Sequence, residues 1–350
     1  MKLSIIVPVY NMAGEGKLEY CLKSLVNQTI SDYEIIAVDD CSTDNSLEVL
    51  QHFQTQYPDR FIAVHSPVNH HQGGAKNIGL AMAKGDWLGF IDADDWIVPD
   101  FYERLIKKAE ETGADMVGCD YCLTNEHSFK VGKIVHNNND SQTGVMDKEH
   151  YKNLLLETGS LVVKVYKRDL IVGDYEPGTK DKLDVFPEDI FYEDNAVSNT
   201  WMLRSKHFEY IQEPLYFYYQ HQASTVHSIS KKNLEDRMTA GRQIIREAKD
   251  NGYFEEYRDE IEFQYTVLFY VNTLFSAMPR KSKLKGCYSF TKALAKEMKE
   301  TFPDFQSNRY YIEKIHPEEK KLIAYQMKSH LFFYVYYRLL WFYRELRTGK

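Results

Sequence analysis

The stretch GFIDADDWIVPD, residues 89–100, begins as an apolar run that reads as a buried strand and ends in three carboxylates within four positions, Asp92, Asp94 and Asp95. Like charges this close repel, so the cluster destabilises the chain unless a cation or a well-solvated turn compensates. Alternate carboxylates, Asp92 and Asp94 on either side of Ala93, can hold a hard divalent cation whose shell is completed by water and phosphate oxygens. They can also form a solvated acidic turn that caps the helix after Pro99. Two other stretches offer related chemistry. In VDDCSTD, Asp39 and Asp40 close a second apolar run, where a carboxylate can accept hydrogen bonds from a uracil imide or a ribose hydroxyl, or can join Asp44 in capping the next helix. In QGGAKNIG, Gly73 and Gly74 permit close backbone approach at a helix start, and Lys76 can bring positive charge to a diphosphate. Further on, FPEDIFYEDNAV holds two Glu-Asp pairs, Glu188-Asp189 and Glu193-Asp194, either of which can supply a general base.

These side chains need a frame that brings them together. LSIIVPVY, YEIIAVDD, FIAVHS and WLGFIDADD read as four strands, and LEYCLKSLVNQT, STDNSLEVLQHFQTQY and GGAKNIGLAMAKG as the helices between them. Strand and helix in alternation predict an α/β, doubly wound parallel sheet, in which ligands gather beyond the carboxyl ends of the strands. Tyr10 and Asn11, which follow Pro8 and Val9, should then share one crevice with Asp39, Asp40 and Asp92 to Asp95. Past residue 125 the alternation fades into a polar, Asn-rich loop or exposed hairpin. From Lys231 the pattern turns helical, which places soft boundaries near 125 and 229.

Bulk properties narrow the classes. With 350 residues, 43% of them hydrophobic, the chain can build a substantial core and hold two or three domains. A net charge of −8 argues against nucleic acid as a partner. Five scattered cysteines, an odd number, suggest reduced thiols and a cytoplasmic location; Cys119 and Cys122 form a CxxC without a second pair at zinc spacing. MKLSIIVPVYN is too short an apolar run for a signal peptide, and no apolar stretch reaches the roughly 18 residues needed to span a bilayer.

In combination and in this order, SIIVPVYN, YEIIAVDDCSTDNS, GGAKNIGLAMAKGDWLGFIDADDW and YEDNAV resemble the inverting glycosyltransferases of the GT-A fold, specifically the family 2 group typified by bacterial surface-polysaccharide enzymes. The resemblance implies a Rossmann-like, mostly parallel sheet flanked by helices, with a helical C-terminal region. Residues 1–125 would form the nucleotide-sugar half, 126–228 the acceptor and base half, and 229–350 a helical domain. It implies that Pro8, Val9, Tyr10 and Asn11 shape the nucleoside pocket, that Asp39 reads the uracil ring with Asp40 beside it, and that Asp92-Ala93-Asp94 is the DxD motif. Asp94 would bind Mn²⁺ or Mg²⁺, with Asp92 at the ribose or a water ligand. Of the two Glu-Asp pairs it favours the second, with Asp194 as base and Glu193 orienting the acceptor or the turn. Many relatives carry Arg where this chain has Lys76, so a forked phosphate clamp becomes a point charge. In YFYYQHQASTVH, residues 216–227, the resemblance makes His221 a phosphate or metal contact, and a solvated loop histidine is the alternative.

The implied activity is transfer of a sugar from a UDP-sugar to a saccharide or lipid-linked saccharide. Other readings of the same carboxylates are a nucleotidyltransferase, a phosphohydrolase or an inactive nucleotide-binding scaffold. Trp96, beside the acidic cluster, can stack on a sugar face or anchor its loop. Finally, HLFFYVYYRLLWFYRELR, residues 330–347, packs aromatics and leucines among arginines. It can lie in a membrane interface at the inner face of the cell membrane, or dock on the core or on a second subunit as a homodimer contact.

Overall fold

The computed structural model describes residues 1–157, 159–220, 230–279 and 282–348. Runs of Ile and Val make the first strands: β1 (Leu3–Val9) and β2 (Tyr33–Asp40) are buried at every position, as strands covered on both faces must be. Between and after them come α1 (Lys17–Val26), α2 (Ser46–Gln56), β3 (Phe61–Ser66), α3 (His71–Met82), β4 (Trp87–Phe90), β5 (Trp96–Ile97) and α4 (Phe101–Thr112). The chain continues through β6 (Met116–Thr124), β7 (Lys133–Val135), β8 (Gly144–Val145), α5 (Lys148–Leu156), β9 (Lys164–Lys167), α6 (Arg168–Val172), α7 (Glu193–Met202) and β10 (His207–Tyr219).

The strands form one sheet in the order β3-β2-β1-β4-β9-β6-β10-β5, with β7 paired to β6 and β8 to β10. The first four strands are mutually parallel, and so are β6 and β10. Beyond them the sheet is mixed, as the mostly parallel expectation allows: β9 runs antiparallel between β4 and β6, and β5 antiparallel to β10. Residues 125–144 include the exposed β7, an antiparallel partner of β6. Helix α3 lies so tightly on the sheet that a Cβ at Gly79 would come within 2.6 Å of the Ile6 side chain. This close seat holds the second half of α3 against the middle of β1.

Lys164, on the central β9, is wholly buried, and its ammonium donates to the Ser160 carbonyl at 2.6 Å. Burial pushes its pKa down from lysine's ordinary 10.5 to about 7. At and below that pH the charge must be buried, at a cost of a few kcal/mol. Between about 7 and 10.5 the unfolded chain keeps a proton the folded chain has released, so stability climbs with pH. Lys164→Met is expected to stabilise the fold at pH 7 on the order of 1–2 kcal/mol, allowing for the lost hydrogen bond. The gain should shrink by pH 10. Urea unfolding at both pH values checks this, and a destabilised variant at pH 7 would refute it.

The chain divides into two compact units, Met1–Ser224 and Thr225–Lys350. The second is helical, as the sequence pattern predicts. Ser230 caps α8 (Lys231–Asp250) by accepting from the Asn233 amide. Next, α9 (Arg258–Tyr265) passes through a π-helical turn, Thr266–Val271, into α10 (Asn272–Ala277). There follow α11 (Cys287–Thr301), α12 (Arg309–Lys314), α13 (Pro317–Lys328) and α14 (His330–Thr348). Phe269, Leu274, Leu294, Ile323 and Phe333 form part of its buried interior. A buried polar link joins three helical segments: Tyr270 donates to Gln326 Oε1 at 2.6 Å, and Gln326 Nε2 donates to the Thr291 carbonyl at 2.9 Å. Among the described residues no helix is long and apolar enough to cross a membrane.

Candidate functional site

The carboxyl ends of β1 and β2 carry the first half of the site. Pro8 and Val9 are buried in β1, Tyr10 emerges exposed, and Asn11 adopts a positive φ of 54°. Asn11 ties two loops together: its Oδ1 accepts from the Thr43 amide at 2.8 Å, and its own amide donates to Ser42 Oγ at 3.0 Å. Asp39 is fully buried beside this link. Its Oδ2 accepts from the Ser42 amide at 3.4 Å and lies 2.8 Å from His65 Nδ1, while its buried Oδ1 has no hydrogen-bond partner among the described residues. Asp40 shows a similar asymmetry: Oδ1 accepts from the His70 amide at 2.9 Å, and buried Oδ2 has no such partner. Burial raises its pKa, against the pull of the His70 amide. Buried carboxylate oxygens are rarely left unsatisfied. Asp44 braces the entry to α2, accepting from the Ala13 and Ser46 amides, each at 3.0 Å, while the N-cap position itself is Asn45.

After β4 the chain turns at Ala93 and Asp94, and the Asp95 amide donates to the Asp92 carbonyl at 3.1 Å. This turn separates the three carboxylates. Asp95 points into the core, accepting from Tyr216 Oη at 2.5 Å and the Tyr219 amide at 2.8 Å. Asp92 and Asp94 remain partly exposed on the other side. Trp96 resolves as an anchor: it is fully buried against Cys122 and Phe217, and its indole donates to the Ser128 carbonyl at 3.1 Å.

The second half comes from α3 and α7. A Cβ on Gly73 would stand 2.1 Å from the Pro187 carbonyl oxygen, so the close approach that this glycine permits is to the segment leading into α7. One turn of α3 later, Lys76 donates to Glu193 Oε1 at 2.6 Å, both side chains about 4% exposed. The lysine ring contact is Phe186, 5.2 Å from the ammonium. Burial pulls the Lys76 pKa down, but Glu193, Asp92 and Asp194 more than offset it and hold it above the ordinary value. The same neighbourhood acts on Asp92: burial, with Asp94, Glu193 and Asp194, raises it to about 7 despite Lys76. Asp92, Asp94, Lys76, Glu193 and Asp194 therefore form one electrostatic cluster.

The two Glu-Asp pairs occupy different settings. Glu188 is held by Lys182 at 2.7 Å and lies 3.3 Å from His70, and Asp189 sits in the following loop with a φ of 60°. Glu193 and Asp194 form the first turn of α7, where the helix dipole favours negative charge. Asp194 Oδ1 accepts from both the backbone and side-chain amides of Asn195, each at 2.8 Å. His221 lies outside the described residues, as do Ser224, Thr225 and His227. Sequence reasoning did not reach His65, His70 or Lys182. The parallel register of β2 on β3 sets Asp39 opposite His65, a signal visible only once that pairing is known.

Asp92 and Asp94, two carboxylates separated by Ala93 just past a strand end, are a suitable oxygen donor set for Mg²⁺ or Mn²⁺. Among the described residues no group of three or more His, Cys, Asp or Glu side chains could hold a metal ion. A cation there would therefore need ligand oxygens from a bound diphosphate or water.

Comparison with known proteins adds four findings. The family model described as Glycosyl transferase family 2 matches residues 4–165. EpsH of Bacillus subtilis strain 168, named for a glycosyltransferase assignment, is 31% identical over 264 residues, covering 74% of this chain and 73% of its own. The poly(ribitol-phosphate) beta-glucosyltransferase of Bacillus spizizenii is 40% identical over 119 residues, which is 33% of this chain and 18% of that one. Among solved structures, S. aureus TarS 1-349 in complex with UDP-GlcNAc superposes with a TM-score of 0.63 at 18% identity, covering 100% of this chain and 93% of that chain.

Proposed function

Because the chain belongs to glycosyl transferase family 2 and has the GT-A fold, we propose that it is a metal-dependent, inverting hexosyltransferase. It moves a sugar from a UDP-sugar to a hydroxyl of a saccharide or lipid-linked saccharide, in the cytoplasm, in making a cell-surface polysaccharide. The observation that carries the donor reading is the buried, unsatisfied Asp39 Oδ1 at the end of β2. An acceptor oxygen fixed there by His65 and Ser42 suits the imide N–H of uracil. Asp40 Oδ2 offers a second acceptor for a ribose hydroxyl. The known complex of TarS with UDP-GlcNAc on the same fold supports a UDP-linked donor.

In the transfer, the acceptor oxygen attacks the anomeric carbon as the bond from that carbon to the diphosphate oxygen breaks, and Asp194 takes the acceptor proton. Single displacement inverts the anomeric centre without a covalent enzyme intermediate. Glu193, locked by Lys76, orients the turn that carries Asp194. Asp94 would hold a divalent cation with Asp92 beside it, and when bound this ion supplies charge neutralisation at the departing diphosphate.

The test is a panel of nucleotide sugars assayed for nucleotide release with Mn²⁺, with Mg²⁺ and with EDTA. UDP-sugars should be turned over only with metal. Asp94→Ala should weaken UDP binding in the presence of Mn²⁺ by about tenfold or more, and without metal hardly at all. Titration calorimetry giving one UDP affinity with and without metal would overturn the metal assignment.

A further inference from the structure

Helix α14 has two apolar faces, one buried and one largely exposed. Phe333 and Tyr337 are buried at 0% and 2% exposure. On the opposite side Leu331, Phe332, Val335, Leu339, Phe342 and Leu346 are exposed at 45–67%, and the Phe332 ring meets that of Tyr325 at 5.1 Å along one edge. At 3.6 residues per turn these six fall within an arc of about 100°, and exposed Tyr343 extends it to about 120°. No charged residue interrupts the arc. Arg338 and Arg347 lie on its two borders, each stacked on a tyrosine: Arg338 is 5.2 Å from the Tyr334 ring centre and Arg347 5.8 Å from that of Tyr343.

We propose that this face docks on an anionic lipid bilayer, with α14 lying in the plane of the interface. The arc is broader than the narrow seam of a two-helix coiled coil, which favours a surface over a single partner helix. Charge favours the same occupant. The whole chain carries −8, whereas α14 has three arginines and one glutamate; Arg344 is paired with Glu318 at 2.6 Å, and Arg338 and Arg347 flank the exposed arc. A second copy would bring the same arginines to face themselves; anionic headgroups complement them. Guanidinium groups at the borders can reach the headgroups while the leucine and phenylalanine side chains enter the acyl boundary. The inference stands independently of the donor chemistry.

Flotation of the full chain with vesicles of phosphatidylglycerol and phosphatidylcholine tests it, with pure phosphatidylcholine vesicles as control. The chain should float with the anionic vesicles, and less so as salt is raised. Leu339→Glu combined with Phe342→Glu should reduce partitioning about tenfold or more, and Arg338→Gln with Arg347→Gln should reduce it several-fold while leaving the apolar face intact. Circular dichroism and melting temperature identify any variant that misfolds, and the arginine pair then carries the test. Absence of binding to anionic vesicles would overturn the proposal. So would a concentration-dependent dimer in sedimentation equilibrium that Leu339→Glu dissolves while vesicle binding stays unchanged, because the face would then belong to a second copy.

Discussion

Asp194→Asn is expected to lower turnover by about 10²- to 10⁴-fold, the range for loss of a positioned general base. The amide keeps the shape of the carboxylate and removes its basicity. Asp194 Oδ1 already accepts both Asn195 donors, so the acceptor proton is assigned to Oδ2. Because Asp194 has no assigned contact with the nucleotide, UDP affinity measured by calorimetry should change by no more than about twofold, so the loss falls in kcat.

Asp189→Asn is the matched control. It sits in the other Glu-Asp pair, whose glutamate is bound to Lys182, and it should change turnover by no more than about threefold. Steady-state release of UDP with each variant decides between them. A large loss in Asp189→Asn with little in Asp194→Asn would move the base to the first pair and undo the assignment.

The contrast between these pairs shows what a sequence can and cannot carry. Strands β1 to β4 and the helices between them were legible because apolar runs, capping residues and glycine stops are local signals. Even there the fourth strand ends at Phe90 instead of running to Asp95, since the chain turns immediately after it. Strand β9 was not legible: it is four residues, KVYK, and its first lysine is buried where pattern reasoning places lysines in water. Within the site, each carboxylate could be picked out as a candidate, but its partners could not. Asp95 looks like its neighbours in the sequence and differs because Tyr216, 121 positions away, reaches it. His65 meets Asp39 only through strand register. Such pairings are properties of the tertiary fold, and composition or spacing does not encode them visibly.

Another long-range link carries the largest expected stability effect. Lys76 and Glu193 are 117 positions apart and join the start of α3 to the first turn of α7 through a 2.6 Å ion pair that is nearly dry. Lys76→Met leaves Glu193 buried without its cation, with Asp92 and Asp194 close enough to have acted on that cation. Removing one partner of a buried pair typically costs about 3–5 kcal/mol, and the loss should appear in urea unfolding of the variant. Lys76→Met with Glu193→Leu removes both charges at once and is expected to recover most of the loss, so the double-mutant cycle should give a coupling of about 2 kcal/mol or more. The positioning role has its own readout. Lys76→Arg keeps the charge and the link, and should retain turnover far better than Lys76→Met measured under conditions where both remain folded. If Lys76→Met costs under about 1 kcal/mol and leaves kcat intact, the pair neither holds α7 in place nor sets the position of Asp194.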